Sequence, residues 1–166
     1  EHFEFAGPGG WNDPDYILIG VIGNAHNISE EPKPTSLTPD EQYSYMSMWS
    51  LMASPLFFSG DMGRLDEFTL NVLCNAEVID VNQDVLGKQA RLVRRTDDEF
   101  VLAKPLEDGS IAVGLFNIGE APRAMTVTWV DLGLAGKRKA RDVWRQQDIG
   151  VFADAYKAEV PRHGVA

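Results

Sequence analysis

The chain has 166 residues, of which 44% are hydrophobic and 24% charged, proportions typical of a soluble globular protein rather than a disordered one. Its formal net charge of −10 would repel nucleic-acid phosphates and anionic lipids, so the expected partners include neither nucleic acid nor a membrane, while neutral substrates such as sugars remain open. The single cysteine, Cys74, excludes an internal disulfide and a cysteine metal cluster, and its apolar neighbours predict a small buried side chain.

Residues 1–88 alternate short apolar segments with helical patterns. The segment DYILIG (15–20) predicts a strand, and LTPDEQYSYMSMWSLMAS (37–54) predicts a helix. Thr38 is a suitable N-cap and Glu41, three residues later, completes a capping box, with a proline between them at the first helical position.

Three further patterns complete this half of the chain. Apolar side chains recur at helical spacing in the first helix and predict a core-facing stripe: Tyr45, Met48, Trp49 and Met52. LFFSGD (56–61) predicts a buried parallel strand, and residues 66–81 predict a second helix. Strand, helix, strand, helix is typical of α/β units around a parallel sheet.

Residues 89–166 change to a period of two, which predicts antiparallel strands. Turn signals separate the runs, most plainly Asp108-Gly109, and several short strands at this spacing favour a β-sandwich. Alternation places Val127 and Trp129 on one face, so we interpret the aromatic residues of this part as core. The predicted fold class is α/β for 1–88 plus all-β, a Greek-key sandwich, for 89–166.

The two ends of the sequence do not resemble natural termini. The chain opens on the strand-like run HFEF with no initiator methionine, and it stops where a strand begins, in VPRHGVA. The first residues lack the pattern of a signal peptide, and no apolar stretch approaches the ~20 residues of a membrane span. We expect a fragment cut at both ends, its sandwich truncated at the last strand.

The densest motif is GPGGWNDPD (7–15), which holds two carboxylates on a glycine- and proline-rich turn. In extended backbone Asp13 and Asp15 would leave the same face, so they do not suit opposed catalytic roles on a sugar ring. The open alternatives are hydroxyl binding, a divalent ion, or side-chain to backbone hydrogen bonds of Asn12 and Asp13 that tie the turn together. Trp11 is either a sugar-stacking platform or a core residue.

Other candidate residues carry weaker signals. Asp61 follows a predicted strand, where it would serve either a barrel site or a helix cap. The three histidines lack metal-ligand spacing, so no metal site is predicted: His2, His26 and His163.

Several segments together resemble the α-galactosidases of glycoside hydrolase family 27. They are GPGGWNDPDYILIG, LTPDEQYSYMSMWSLMASPLFFSGDM, NAEVIDVNQDVLGKQARLV, LAKPLEDGSIAVGLFN and VPRHGVA, in the family's order and spacing. The resemblance implies the last part of a (β/α)8 TIM barrel in 1–88, followed by the sandwich. It also implies a retaining hydrolase of terminal α-galactosides, or of α-N-acetylgalactosaminides in some members, that needs no cofactor.

The resemblance also implies which residues touch the sugar. Asp15 and Tyr16 would line the galactose subsite at the carboxyl-terminal rim of the barrel, with Trp11 and Asp13 in support. Tyr16 departs from the usual methionine, which leaves the exact sugar open, and Val85 stands where proline is common. The family's nucleophile and acid/base lie on segments that do not match this chain, so none of its residues is expected to be catalytic.

Two functions follow as alternatives. The first is a part of a retaining α-galactosidase that is inactive alone, and the second is a non-catalytic sugar-binding or interaction module in the sandwich, using Trp129, Trp144 and Phe152. The expected partners are a galactoside and either a second copy of the chain, as a homodimer, or the missing barrel half, because open barrel strands need cover. The family implies a secreted, periplasmic or lysosomal parent.

Overall fold

The computed structural model describes residues 5–23 and 31–166. Within these ranges the elements are, in chain order, β1 (Val21–Ile22), β2 (Lys33–Pro34), α1 (Pro39–Leu51), a 3-10 turn (Met62–Arg64), α2 (Glu67–Leu73), α3 (Ala76–Asn82), β3 (Arg91–Arg95), β4 (Glu99–Pro105), β5 (Ile111–Asn117), β6 (Arg123–Thr128), β7 (Arg138–Asp142), β8 (Gln147–Phe152) and β9 (Ala155–Val160). In the same ranges, no helix combines the length and the apolar character needed to cross a membrane.

Helix α1 begins as the sequence predicts. The Thr38 hydroxyl accepts a hydrogen bond from the Glu41 N–H at 3.3 Å, and the Glu41 carboxylate accepts one from the Thr38 N–H at 2.8 Å. This confirms the capping box. The predicted stripe is confirmed only in part: Trp49 is buried, whereas Tyr45, Met48 and Met52 are half-buried. Met46, outside the predicted stripe, is the most deeply buried methionine of the helix, at 1% exposure.

The prediction of one continuous helix over 66–81 is wrong, because two helices, α2 and α3, replace it. Asn75 interrupts the run: its side-chain oxygen accepts from the Val78 N–H at 3.1 Å and caps α3. Its amide donates to the carbonyls of Val143 and Trp144, far along the chain. Cys74, at the break, is exposed, so the prediction that it is buried is also wrong.

The predicted parallel strands are represented by a single bridge between Ile17 and Phe58. The Ile17 N–H donates to the Phe57 carbonyl at 2.6 Å, and the Ser59 N–H donates to the Ile17 carbonyl at 3.1 Å. Ile17 and Ile19 are fully buried against the helices. Together with residues of α1, α2 and α3 they form the first core cluster.

The second half of the chain is antiparallel, as predicted. Strands β3, β4 and β5 form one sheet, β6 pairs with β9, and β7 pairs with β8. Val127 and Trp129 are both buried in the core between these strands, which confirms the prediction that they share an inward face.

The β7–β8 hairpin leaves the sandwich and reaches the helices. Val143 and Trp144 pack against the first core cluster, so Trp144 does not serve the sandwich core as the sequence suggested. Its indole N–H donates to the Ser47 hydroxyl at 2.9 Å, and Arg141 binds both oxygens of Glu77. The hairpin therefore joins the two parts of the chain.

A second link between the parts depends on pH. His163 Nδ1 lies 2.7 Å from Glu41 Oε1. The Thr38 N–H, and after it His163, lower the pKa of Glu41 from 4.5 to about 2. Because the folded pKa is lowered, the stabilisation by this carboxylate is present above pH 4.5 and is lost as the pH falls towards 2.

We therefore expect Glu41→Gln to lower the free energy of unfolding near neutral pH, and we expect its difference from the parent chain to shrink as the pH falls from 5 to 2. Urea unfolding at a series of pH values measures both quantities. A difference between the two proteins that stays constant over this range would contradict the assignment of the carboxylate as the stabilising group.

Candidate functional site

The motif GPGGWNDPD forms a tight loop, here called the Trp11 loop (residues 7–16). Gly7 and Gly10 exchange two backbone hydrogen bonds, at 2.8 and 2.9 Å, and Gly9 lies between them at φ +95°. That backbone conformation favours glycine because it has no Cβ. These main-chain hydrogen bonds close the glycine turn at the start of the loop.

The two aspartates of the loop play different parts. The Asp15 N–H donates to the Asp13 carboxylate at 2.9 Å, which closes a small side-chain turn. Asp15 itself adopts φ +77°, in the left-handed region, so the expectation of two side chains on one face of an extended strand is wrong. Both residues are exposed, and Asp13 ties the loop together through this hydrogen bond.

The aromatic residues of the loop are both partly exposed, Trp11 at 43% and Tyr16 at 41%. Trp11 is therefore not the buried core residue that was one of its two interpretations. The Tyr16 carbonyl accepts a hydrogen bond from the Tyr45 hydroxyl at 2.8 Å, which ties the end of the loop to α1.

A second loop contacts the Trp11 loop, although its role is not among those predicted from the sequence. This support loop (residues 83–89) follows α3 and contains most of the motif NQDVLGKQ. The Asn12 amide donates to the Gln89 side-chain oxygen at 2.7 Å, and the Trp11 ring lies against Gly87. The motif NQDVLGKQ itself is the sequence feature from which a structural role of this loop could have been predicted.

Gly87 should be the most sensitive position of the support loop. It lies at φ +58°, and an added Cβ would stand 2.6 Å from the Trp11 ring. We expect Gly87→Ala to cost about 1–2 kcal/mol for the left-handed backbone and a further 1–3 kcal/mol for displacing Trp11. The matched control is Gly109→Ala, at φ +82° with no atom within 4 Å of the added Cβ. Equal losses in urea unfolding would contradict the contact with Trp11.

The Trp11 loop directly precedes the strand pair. Asp15 and Tyr16 come before Ile17, which forms a parallel bridge with Phe58, so both precede this pair along the chain. That Asp15 lines a sugar site at the carboxyl-terminal rim of a complete barrel stays a prediction.

The carboxyl-terminal side of the same strand pair holds an open hollow of about 580 Å3. Its lining includes Ile22, Gly23, Phe58, Ser59, Asp61 and Met62. Asp61 accepts from the Gly63 N–H at 2.9 Å and so caps the 3-10 turn, as one of its two interpretations predicted. Parallel α/β architectures bind ligands at this end of their strands.

A groove of about 470 Å3 lies between α1 and the sheet of β4 and β5. It is lined mainly by apolar side chains: Tyr45, Met48, Trp49, Phe100, Phe116 and Ile118. Among the described residues no group of three or more His, Cys, Asp or Glu could hold a metal ion. His2 and His26 lie outside the described residues.

Comparison with known families identifies both parts of the chain. The family model described as "Alpha galactosidase A" matches residues 2–84, and the one described as "Alpha galactosidase C-terminal beta sandwich domain" matches residues 96–166. The two matches occur in chain order and meet near the change of architecture.

Individual relatives agree with the family models. The α-galactosidase of Cyamopsis tetragonoloba is 37% identical over 96% of this chain and 36% of its own length. A family 27 β-L-arabinopyranosidase from Geobacillus stearothermophilus has 34% identity and a TM-score of 0.87, over 95% of this chain and 36% of that one. α-Galactosidase I from Mortierella vinacea has 28% identity and a TM-score of 0.84, over 96% and 39%. The chain thus spans little more than a third of these proteins, and it belongs to the α-galactosidases of glycoside hydrolase family 27.

Proposed function

We propose that this chain is the carboxyl-terminal part of a longer retaining glycoside hydrolase that cleaves terminal α-D-galactosides. The observation that carries the proposal is the match of both family models, in order, over most of the chain. In this proposal residues 1–88 complete a (β/α)8 barrel and residues 89–166 form its sandwich domain. The resemblance assigns the nucleophile and the acid/base to the preceding part of the barrel.

The geometry of the Trp11 loop favours a binding role for it rather than a catalytic one. A retaining enzyme needs two carboxyl groups about 5 Å apart on opposite sides of the reacting carbon. Both aspartates are exposed, but Asp13 accepts a hydrogen bond from the Asp15 N–H and so is engaged in holding the loop. We propose that Asp15 accepts hydrogen bonds from sugar hydroxyls, with Tyr16 and Trp11 beside the ring and Asp13 fixing the loop.

The position of the Trp11 loop makes Asp61 the natural comparison for Asp15. Asp15 lies before the strand pair, whereas Asp61 borders the hollow beyond it. Because the Asp61 carboxylate already caps the 3-10 turn, Asp61→Ala should lower sugar affinity less than Asp15→Ala does. Kinetics of these single variants show which of the two aspartates contributes to sugar binding.

The same assay also tests which sugar the enzyme prefers. The Geobacillus relative is named a β-L-arabinopyranosidase, while other relatives are named α-galactosidases. The β-L-arabinopyranosyl ring matches the α-D-galactosyl ring without its C6 hydroxymethyl group. Tyr16, bulkier in outline than the family's usual methionine, is the residue on the Trp11 loop that we propose to influence this choice.

The partner of the chain in this proposal is the preceding barrel portion. Phe57 and Met62, beside the strand pair, are 57% and 75% exposed, which favours cover by another segment. Trp129 is 6% exposed and Phe152 packs against the sandwich core. Because Trp144 is also packed, the aromatic residues of the alternative sugar-binding module are engaged in interior contacts.

The experiment compares two proteins on p-nitrophenyl α-D-galactoside and p-nitrophenyl β-L-arabinopyranoside: the 166-residue chain, and the chain joined to the preceding barrel portion of a relative. We expect no turnover by the chain alone and turnover by the joined protein. Turnover by the chain alone would place a working carboxylate pair within it. Absence of turnover by a folded joined protein would contradict the proposed activity.

In the joined protein, Asp15→Ala should lower kcat/KM roughly 10- to 150-fold, because a charge-assisted hydrogen bond contributes on the order of 1.5–3 kcal/mol. The melting temperature should stay close to that of the parent, since the side chain is exposed. Unchanged kinetics in Asp15→Ala, together with a loss in Asp61→Ala, would move the sugar site to the hollow.

A further inference from the structure

The sandwich carries a lysine whose ammonium group is buried among main-chain carbonyls. Lys104, on β4, is 0% exposed. Its Nζ donates to the carbonyl oxygens of Val81, of Asn82 at 3.2 Å and of Ser50 at 3.4 Å. Three N–H donors thus meet three acceptors. Burial lowers the pKa of Lys104 to about 8, although the negative charge of Asp84 acts in the other direction and raises it. The ammonium group is therefore protonated at neutral pH.

Those carbonyls belong to the carboxyl-terminal ends of α1 and α3. The last carbonyls of a helix have no partner within the helix and carry its negative partial charge. Lys104 donates to carbonyls at the ends of both helices and so holds the end of α3 against the sandwich.

The support loop begins where α3 ends and is attached to the sandwich a second time. One oxygen of Asp84 accepts from the Leu86 N–H at 3.1 Å, within the loop. The other accepts from the Glu107 N–H at 2.9 Å, in the turn that follows β4. Lys104 and Asp84 therefore hold the loop from the sandwich side, at neighbouring points.

The opposite side of the support loop touches the Trp11 loop. Gln89 holds Asn12 at 2.7 Å, and Gly87 supports the Trp11 ring. A continuous set of contacts runs from β4, through the support loop, to the loop that presents Asp15. Each contact in this series is a hydrogen bond or a close van der Waals contact, so a shift at one end has a direct route to the other.

We propose that Lys104 and Asp84 are positioning residues through which the sandwich sets the conformation of the Trp11 loop. The consequence for sugar binding rests on the proposed function of that loop, whereas the structural coupling does not. The sandwich is then a part of the site's support, not a separate module.

The coupling is tested on the 166-residue chain labelled with 5-fluorotryptophan at its four tryptophans and observed by 19F NMR. Trp11→Phe and Trp129→Phe assign the signals of these two residues. Lys104→Met should shift that signal and leave the signal of Trp129 unchanged. Lys157→Met, at an exposed lysine of β9, is the matched control and should shift neither.

Because removal of a buried lysine can unfold a chain, Asp84→Asn provides a second test. It keeps the volume of the side chain and removes one of its two acceptor oxygens, so a smaller shift of the Trp11 signal is expected. Its control is Asp80→Asn, at an exposed position on α3. If the Trp11 signal stays in place in Asp84→Asn and in every folded Lys104 variant, the proposal is overturned.

Kinetics in the joined protein then distinguish the coupling of the two loops from the proposed sugar-binding function of the Trp11 loop. Displacement of a positioned group by about 1 Å costs on the order of 100-fold in rate, so Lys104→Met should lower kcat/KM roughly 10- to 100-fold. A shifted Trp11 signal with unchanged kinetics would support the coupling and contradict the sugar-binding role of the Trp11 loop.

Discussion

Replacing Asn117 with aspartate should lower the free energy of unfolding by about 3–5 kcal/mol, more than most single changes in this chain. Asn117 is 1% exposed at the end of β5. Its amide donates to the carbonyls of Ala121, Val160 and Pro161 at 2.8–3.1 Å, and its oxygen accepts from the Gly119 N–H at 2.9 Å. An aspartate would lose both donors and would turn a buried negative charge towards three carbonyl oxygens.

Urea unfolding at pH 7 measures this loss. The control is Asn71→Asp, which makes the same chemical change at an exposed position of α2 and should change the free energy of unfolding by less than about 0.5 kcal/mol. The loss in Asn117→Asp should diminish at acidic pH, where the new carboxyl group is neutral. A loss below about 1 kcal/mol at pH 7 would show that the three carbonyls do not depend on this amide.

Trp144→Ala should be the second large effect, at about 3–5 kcal/mol. The indole packs edge to face on Tyr43 with 4.7 Å between ring centroids, and it also donates a hydrogen bond to Ser47. The change removes the main apolar contact between the hairpin and the helices, although the polar contacts of Arg141 remain. We expect the helical part to unfold at a lower urea concentration than the sandwich.

Trp144→Phe is the matched variant, because it keeps an aromatic ring and loses the hydrogen bond to Ser47. Its expected loss is about 1–2 kcal/mol. Circular dichroism at 222 nm follows the helices, and the 19F signal of Trp129 in the chain labelled with 5-fluorotryptophan follows the sandwich. Coincident transitions with a loss under 1 kcal/mol in Trp144→Ala would contradict the role of the hairpin as the link.

The features that the sequence predicts well are those with local causes. The start of α1 depends on Thr38, Glu41 and the proline between them, all within one turn, and the structure confirms it. The shared inward face of Val127, on β6, and Trp129, just after β6, follows from strict alternation. Such signals need no knowledge of distant residues.

The features that it predicts poorly depend on contacts across the chain. Asn75 ends one helix and starts another because its amide binds carbonyls of the β7–β8 hairpin, which no local pattern shows. Trp144 ends a strand-like run, which predicts a place in the sandwich, although it packs against the helical core. The separate parts of Asp13 and Asp15 follow from the left-handed conformation of Asp15, which the residue type permits but does not require.

The place of Trp144 in the helical core has a consequence for biosynthesis. Ribosomes add roughly 5–20 residues each second, and the helices emerge well before the hairpin that covers them. During those seconds Tyr43, which packs on the indole, lacks its last aromatic neighbour. Newly made α1 and α2 therefore expose apolar surface, and the helical core closes only when the hairpin has been made.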